Sequence, residues 1–473
     1  MMTKIPGILL TATAVFFLLT LFFFWTNSIV DSYFYWALSE YFKTGIYPFQ
    51  TPFIYDRATT ISPPLYALFL AIVQLFPRAD IAAHTLQLLM LGAIGFFLFR
   101  IVSSVVSASK TMIAVSLFLL VPAHVIYASY LLTELPSELF VTILLYLFFR
   151  YLKTKQPRYV SLAVFVAAVA TLMKYSLIVY AFPALLWLAV AQKKKAGSLF
   201  LPAIGGMLLL LWVLVNWNIT GTVGLSDTRG VQLYNQIVWT GGVLPDENHP
   251  AMVKLRQLVP QSVDVRAAYW DLQPYLLPSV HNQWSKLDTL LGNVAVAAVK
   301  QHPFAYIGNT VTIFFRLHSG KLPYWSNLST FGTVDPVYPV YCGKLGSISM
   351  CRPMIKTPWS FWLWNSFIRF SNGFYRILFP IWTYGVFLPA LLFSLVKGGK
   401  MVRALGLLYL VGVIPIAAYV HPDTRYLIPF YPFLLVIPIV AIKELLPRFV
   451  SHNQALTGKG TKRRRNGQIP PEE

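Results

Sequence analysis

Ten nearly uncharged apolar runs recur along the chain, at residues 5–25, 81–99, 111–133, 135–149, 159–173, 175–192, 197–217, 374–396, 404–420 and 426–442. Most approach the roughly 20 residues a helix needs to cross hydrocarbon, which predicts an all-α polytopic membrane protein with about ten transmembrane helices. The 135–149 run is short and holds Pro136 and Glu138, so a tilted helix, or one entered from a polar cavity, is expected there. Two further apolar stretches, 63–76 and 303–315, are too short for spans and fit juxtamembrane, interfacial or re-entrant helices.

Between the runs lie two large loops on one membrane face, residues 26–80 and 218–372, and almost none on the other. Charge tests this arrangement. With the N-terminus cytoplasmic, the inside receives Lys4, Arg100, Lys110, the Arg150 to Arg158 cluster, Lys193 to Lys195, Lys397, Lys400, Arg403 and the basic tail, as the positive-inside rule demands. Of 17 acidic residues 14 then lie outside, while the bases divide 20 inside and 18 outside. Counting 63–76 as a span would invert every later loop and put Lys193 to Lys195 outside. The net charge of +21 therefore follows from topology and not from nucleic-acid binding.

Composition agrees: 56% hydrophobic residues, 12% charged and a mean hydropathy of +0.60 lie outside the soluble range. Residues 5–25 are too long for a signal-peptide core and lack a small-residue cleavage site, so they read as the first span. The expected organisation is a transmembrane region 1–217 with the first extracytoplasmic loop at 26–80, an extracytoplasmic loop subdomain 218–372, C-terminal transmembrane helices 373–448 and a disordered basic cytoplasmic tail 449–473. In the large loop, "HPFAYIGNTVTIFFRL" (302–317) reads as a helix along the membrane surface. Cys342 and Cys351, the only cysteines, could close a disulfide there if the compartment oxidises.

Candidate chemistry gathers at the outer face. Asp31 opens "VDSYFYWALSEYFKTGIYPF", Asp56 and Arg57 precede "ISPPLY", Glu134 and Glu138 sit at the outer end of the fourth span, Lys174 joins the fifth and sixth, and His421, Asp423 and Arg425 open the last. Burying charge in a membrane is costly, so a one-sided ring of ionisable residues points to function. Each has a plainer reading too. Asp31 is a good N-cap for a helix over 32–44 that puts Tyr35, Leu38 and Phe42 on one face and ends at Gly45, and a carboxylate so fixed can also be a general base. Glu134 and Glu138 share a helix face, with one structural and the other facing a cavity. Lys174 either snorkels to outer headgroups or binds substrate. Asp423 could pair with Arg425, whose planar fork suits phosphate, and His421 could join loop-one acids in a metal site.

The order of these pieces resembles the GT-C superfamily of membrane glycosyltransferases, particularly its protein O-mannosyltransferase and aminoarabinose-transferase-like branch. The resemblance rests on Asp31 in "VDSYFYWAL", "SPPLYALFLAIVQLF" (62–76), "LLTELPSELF" (131–140), "ATLMKYSLIVYAFPAL" (170–185) and "TRYLIPFYPFLLV" (424–436), and it covers most of the membrane part. The chain departs from the branch at Ser32, where Glu is common, and at Ser62, where His is common. The resemblance implies a GT-C-like fold and an inverting transfer of a sugar from a polyprenyl-phosphate donor to a hydroxyl of a lipid, glycan or protein acceptor on the extracytoplasmic face. Membrane lipids are the other expected partners, and nucleic acid is not. On this chain Asp31 would be the base, Lys174 and Arg425 would hold the phosphate, and Glu134 and Asp56 would position the acceptor or a divalent ion, with Tyr35 and His421 also binding substrate. The implied location is a bacterial inner membrane with both termini cytoplasmic. A flippase or transporter of lipid-linked sugars and a lipid-linked oligosaccharide ligase are the alternative readings. A transporter would want ionisable groups near mid-span, whereas these sit at helix ends apart from Glu138.

Overall fold

A computed structural model describes residues 30–45, 62–191, 199–280, 284–319, 358–419 and 424–456, with single positions 11, 13 and 15 of the first apolar run. The described residues are helical almost throughout. Six helical segments are long and apolar enough to cross a membrane: Ile81–Val102, Glu134–Thr154, Phe200–Thr220, Gly373–Val396, Lys400–Tyr419 and Arg425–Leu446. The broken pair α4 (Ala108–Leu119) and α5 (Pro122–Ser129), bent by 55°, is apolar enough to make a seventh crossing if the two halves form one span. The bend falls at Pro122, which cannot continue the hydrogen-bonding of the preceding turn. Apolar helices too short to span unaided are α2 (Pro64–Val73), α7 (Arg158–Met173) and the segment Tyr175–Ala189. Each run expected from 81–99 onward thus coincides with helix, and the 5–25 run lies outside the described residues.

Over the short 135–149 run, α6 extends from Glu134 to Thr154, because Arg150, Tyr151 and Lys153 continue the helix beyond the uncharged residues. One expectation is corrected. Asp31 is not an N-cap, since the backbone is already helical at Val30 and α1 spans Val30–Thr44. The other end matches the sequence: Gly45 takes φ +70° and its N–H donates to Tyr41 O at 2.8 Å, a left-handed closure that favours glycine. The expected apolar face of α1 buries Leu38 completely beside Ala67 of α2, with Tyr41 and Phe42 partly covered. Asp56, His421, Asp423, Cys342 and Cys351 lie outside the described residues.

The main core joins α3 (Ala79–Val102), α4 to α7, α17 (Lys400–Tyr419) and α18 (Tyr431–Leu456) through residues such as Leu91, Leu98, Leu135, Tyr409 and Phe433. One close approach there depends on glycine. A Cβ at Gly412 of α17 would collide with the ring of Phe430 and the hydroxyl of Tyr180, so the absence of a side chain admits the 3-10 turn Thr424–Phe430 against the bundle.

Helices between residues 229 and 301 form a second core of their own, including Val231, Tyr234, Leu255, Leu276, Leu287 and Val294. α10 (Arg229–Tyr234) crosses α13 (Trp284–Gln301) where Gly230 meets Gly292, and Asp288 Oδ1 accepts the Val231 N–H at 2.8 Å, capping the first turn of α10. Polar side chains join this core to the bundle at the C-terminus of α17, where helix carbonyls lack intrahelical partners: Gln236 Nε2 donates to Ala417 O at 2.7 Å and Tyr306 Oη to Ala418 O at 2.9 Å. Tyr306 belongs to α14 (Pro303–Leu317), the expected surface helix, which buries Ile313 and Leu317 and exposes Phe304, Ile307, Val311 and Phe315 along one stripe.

Candidate functional site

Lys174 stands where α7 gives way to the 3-10 helix Tyr175–Tyr180. Its backbone is extended (φ −152°, ψ 115°), although its N–H still donates to Ala170 O at 2.9 Å. A residue extended between two helices leaves the helical side-chain direction, and the Lys174 ammonium reaches Glu134 Oε1 at 3.0 Å. Both partners are buried, with side chains 10% and 4% exposed, so Lys174 does not snorkel to headgroups. A carboxylate 40 positions away offers better charge compensation than a route to water. Glu134 lies in the first turn of α6, where the helix dipole also favours an anion.

Arg425 comes to the same place from the last span. It is 5% exposed, its Nη2 donates to Tyr426 Oη at 3.2 Å, and its guanidinium carbon lies 5.0 Å from the centroid of the Tyr426 ring. The Lys174 ammonium lies 5.1 Å from that centroid. Both cations therefore address one ring, within range for cation–π attraction. Two cations are thus buried at one place, and anionic oxygens are the natural partners for such groups.

Aromatic hydroxyls line the side toward α1 and α2. Tyr35 Oη lies 3.3 Å from Thr133 Oγ1, the residue before Glu134, and its ring meets Tyr66 edge-on at 4.9 Å. Tyr66 Oη donates to Gln87 Oε1 at 2.8 Å, and Gln87 Nε2 in turn donates to the carbonyls of Ala128 and Tyr130 at 2.7 and 2.9 Å. This chain of bonds fixes the linker between α5 and α6, and with it the start of α6. Tyr175 Oη donates to Ser62 O at 3.1 Å and accepts from Trp212 Nε1 at 3.1 Å, which ties the residue after Lys174 to the start of α2.

Glu134 Oε2 is buried and has no hydrogen-bond partner among the described residues. A dry carboxylate oxygen without a donor is costly unless a ligand supplies one. Glu138, one turn further along α6, does something else: its Oε1 lies 3.0 Å from Nε2 of His124, and both side chains are fully buried. Both acids are buried in the bundle, each beside a basic partner, and Glu134 keeps one oxygen without a described partner. Among the described residues no three His, Cys, Asp or Glu side chains stand together as a metal site.

Of the residues singled out in the sequence, Lys174, Glu134 and Arg425 are thus gathered around Tyr426, with Tyr35 at the neighbouring Thr133. Asp31 lies in the first turn of α1, the helix that carries Tyr35, and its side chain lies outside the described set. Tyr426, Tyr66, Thr133 and His124 were missed. Tyr426 had a signal in the sequence, an aromatic residue directly after the arginine, and His124 had another, a lone imidazole in the apolar run 111–133.

Residues 62–218 match the family model described as dolichyl-phosphate-mannose-protein mannosyltransferase. No curated protein matches the chain. Among solved structures, the apo crystal structure of ArnT from Cupriavidus metallidurans is similar at 12% sequence identity and a TM-score of 0.34, covering 96% of this chain and 80% of that one. The family match spans α2, Glu134 and Lys174, so this third of the chain is similar to that mannosyltransferase family, within a multi-pass membrane protein whose apolar helices are long enough to cross a bilayer.

Proposed function

We propose that the protein transfers a sugar from a polyprenyl-phosphate donor to a hydroxyl acceptor on the extracytoplasmic face, with inversion at the anomeric carbon. The observation that carries this reading is the convergence of two buried cations, Lys174 and Arg425, on the Tyr426 ring. The charge that grows on a lipid phosphate placed there as the glycosidic bond breaks would be stabilised by both.

In the step itself the acceptor oxygen attacks the anomeric carbon. The bond from that carbon to the phosphate oxygen breaks, and its electron pair leaves with polyprenyl phosphate. The acceptor proton passes to the Asp31 carboxylate. Phosphate is a good enough leaving group that no general acid is required. Glu134, through its unmatched Oε2, and Asp56 would orient the acceptor hydroxyl or hold a divalent ion that neutralises phosphate charge, while Tyr35 and His421 would line the sugar. The ionisable residues of this cluster stand at helix ends, which favours surface chemistry over a transporter's mid-span relay.

The test is Asp31→Asn, which removes the base while preserving size. Expression and thermal stability in detergent are expected to be unchanged and transfer in membranes to be lost. Transfer at the wild-type rate would remove Asp31 from the mechanism.

A further inference from the structure

Outside the site, an apolar groove lies between α4, α18 and the helices flanking the π-turn Thr383–Phe387, namely α15 (Pro358–Trp382) and α16 (Leu388–Val396). It has a volume of about 670 Å³ and is walled by side chains such as Ala114, Leu117, Leu378, Trp382, Leu435 and Ile439. Leu117 and Leu378 are more than half exposed, so the groove opens on the outer surface of the bundle, which hydrocarbon covers in a membrane.

Its length and ends are informative. Along α4 the lining runs from Lys110 to Val121, about 16 Å at the helical rise, close to half of the ~30 Å hydrocarbon thickness. The groove is therefore one leaflet deep. At its inner end the chain bends by 55°, and Tyr431, whose hydroxyl lies 3.3 Å from that of Tyr375, forms the wall. Phe118 and Tyr431 are backed there by the His124 ring, at 4.7 and 5.9 Å. At the other end stands Lys110, exposed and the one charged residue of the lining.

We propose that this groove holds the acyl chains of an anionic phospholipid from the leaflet that Lys110 faces, with the lipid phosphate on the Lys110 ammonium. The connectivity supports that source. α4 and α5 carry the chain from Lys110 across the membrane to Glu134, so Lys110 lies at the face opposite the Lys174, Glu134 and Arg425 cluster. A donor whose phosphate sits on that cluster would have to reach the groove past the bend and Tyr431, from the face opposite Lys110. The phospholipid instead has its headgroup at the basic end, and its chains fill a depth matched to one leaflet. Its role is to brace the broken span against the C-terminal spans.

Delipidated full-length protein titrated with phosphatidylglycerol, phosphatidylcholine and undecaprenyl phosphate by native mass spectrometry tests this. Wild type is expected to bind phosphatidylglycerol about fivefold more tightly than phosphatidylcholine, the contribution of one lysine at a lipid surface. Lys110→Glu should lose that preference while still binding phosphatidylcholine, and Leu378→Trp, which fills the groove from an exposed position, should weaken both. Equal affinities in wild type, a preference that survives in Lys110→Glu, unaltered binding by Leu378→Trp, or displacement of phosphatidylglycerol by equimolar undecaprenyl phosphate would each overturn the proposal.

Discussion

Removing Glu134 should cost far more than its single ion pair suggests. Glu134→Leu would leave the Lys174 ammonium charged among apolar neighbours, with its side chain 10% exposed and its 3.0 Å partner gone. Breaking a buried pair from one side costs about 3–5 kcal/mol, because the surviving charge keeps its desolvation penalty and loses its compensation. Lys174→Met should cost a similar amount, leaving both Glu134 oxygens without a donor. The double variant puts two apolar side chains face to face, and its stability should return to within about 1 kcal/mol of wild type. The coupling energy of the cycle would then be about 3 kcal/mol or more. Reversible unfolding in mixed micelles at neutral pH measures all four proteins. Single losses below about 1 kcal/mol, the value for exposed pairs, would refute the burial argument. Activity separates structure from chemistry: the double variant should fold and still fail to transfer sugar. If it transferred sugar normally, the pair would be a structural clasp only and Lys174 would have no role at the donor phosphate.

Two further outcomes follow from individual contacts. Tyr426→Leu removes the ring that both cations address and the acceptor of the Arg425 hydrogen bond, and should raise donor KM by about 3- to 30-fold with kcat little altered; an unchanged KM would release Tyr426 from donor binding. In the second core, burial raises the Asp288 carboxyl above the ordinary carboxylate range, against the opposing pull of the Val231 and Gly230 N–H groups and of Arg229. A carboxyl raised in the fold contributes stability that is complete below its unfolded pKa, about 3.9, and is lost as pH rises through the folded value. Asp288→Asn keeps the acceptor for Val231 and removes that loss, so hydrogen exchange at α10 should become less pH-sensitive between pH 4 and 7, at roughly one unit of precision; an identical profile in wild type and variant would contradict the assignment.

Much of the fold was legible because lipid leaves few choices: a long uncharged run must close its own hydrogen bonds, and the runs from 81–99 onward did so as helix. The 111–133 run was read as one unbroken stretch, and its break at Pro122 came only with the structure. The positions of Lys174, Glu134 and Arg425 at element ends were readable from where charge interrupts apolar sequence. Their pairing was not, since Lys174 finds Glu134 across 40 residues and meets Arg425 at the Tyr426 ring from a distant part of the chain. The same limit hid the His124–Glu138 pair, where a lone imidazole and an acid 14 positions apart cancel inside the bundle. Asp31 shows a local limit: an acid before an aromatic helix looks like a cap, yet the helix already includes Val30.

The central claim is that the Lys174 and Arg425 cluster holds a lipid phosphate while sugar leaves it. Its most direct test is the mass of the lipid product after purified protein in liposomes is incubated with a polyprenyl-phosphate hexose and a hydroxyl acceptor. The account predicts free polyprenyl phosphate in equal amount to glycosylated acceptor from wild type, and at least about a tenfold higher donor KM in Arg425→Ala. Donor lipid recovered intact on the opposite side of the bilayer, with no polyprenyl phosphate released, would contradict it.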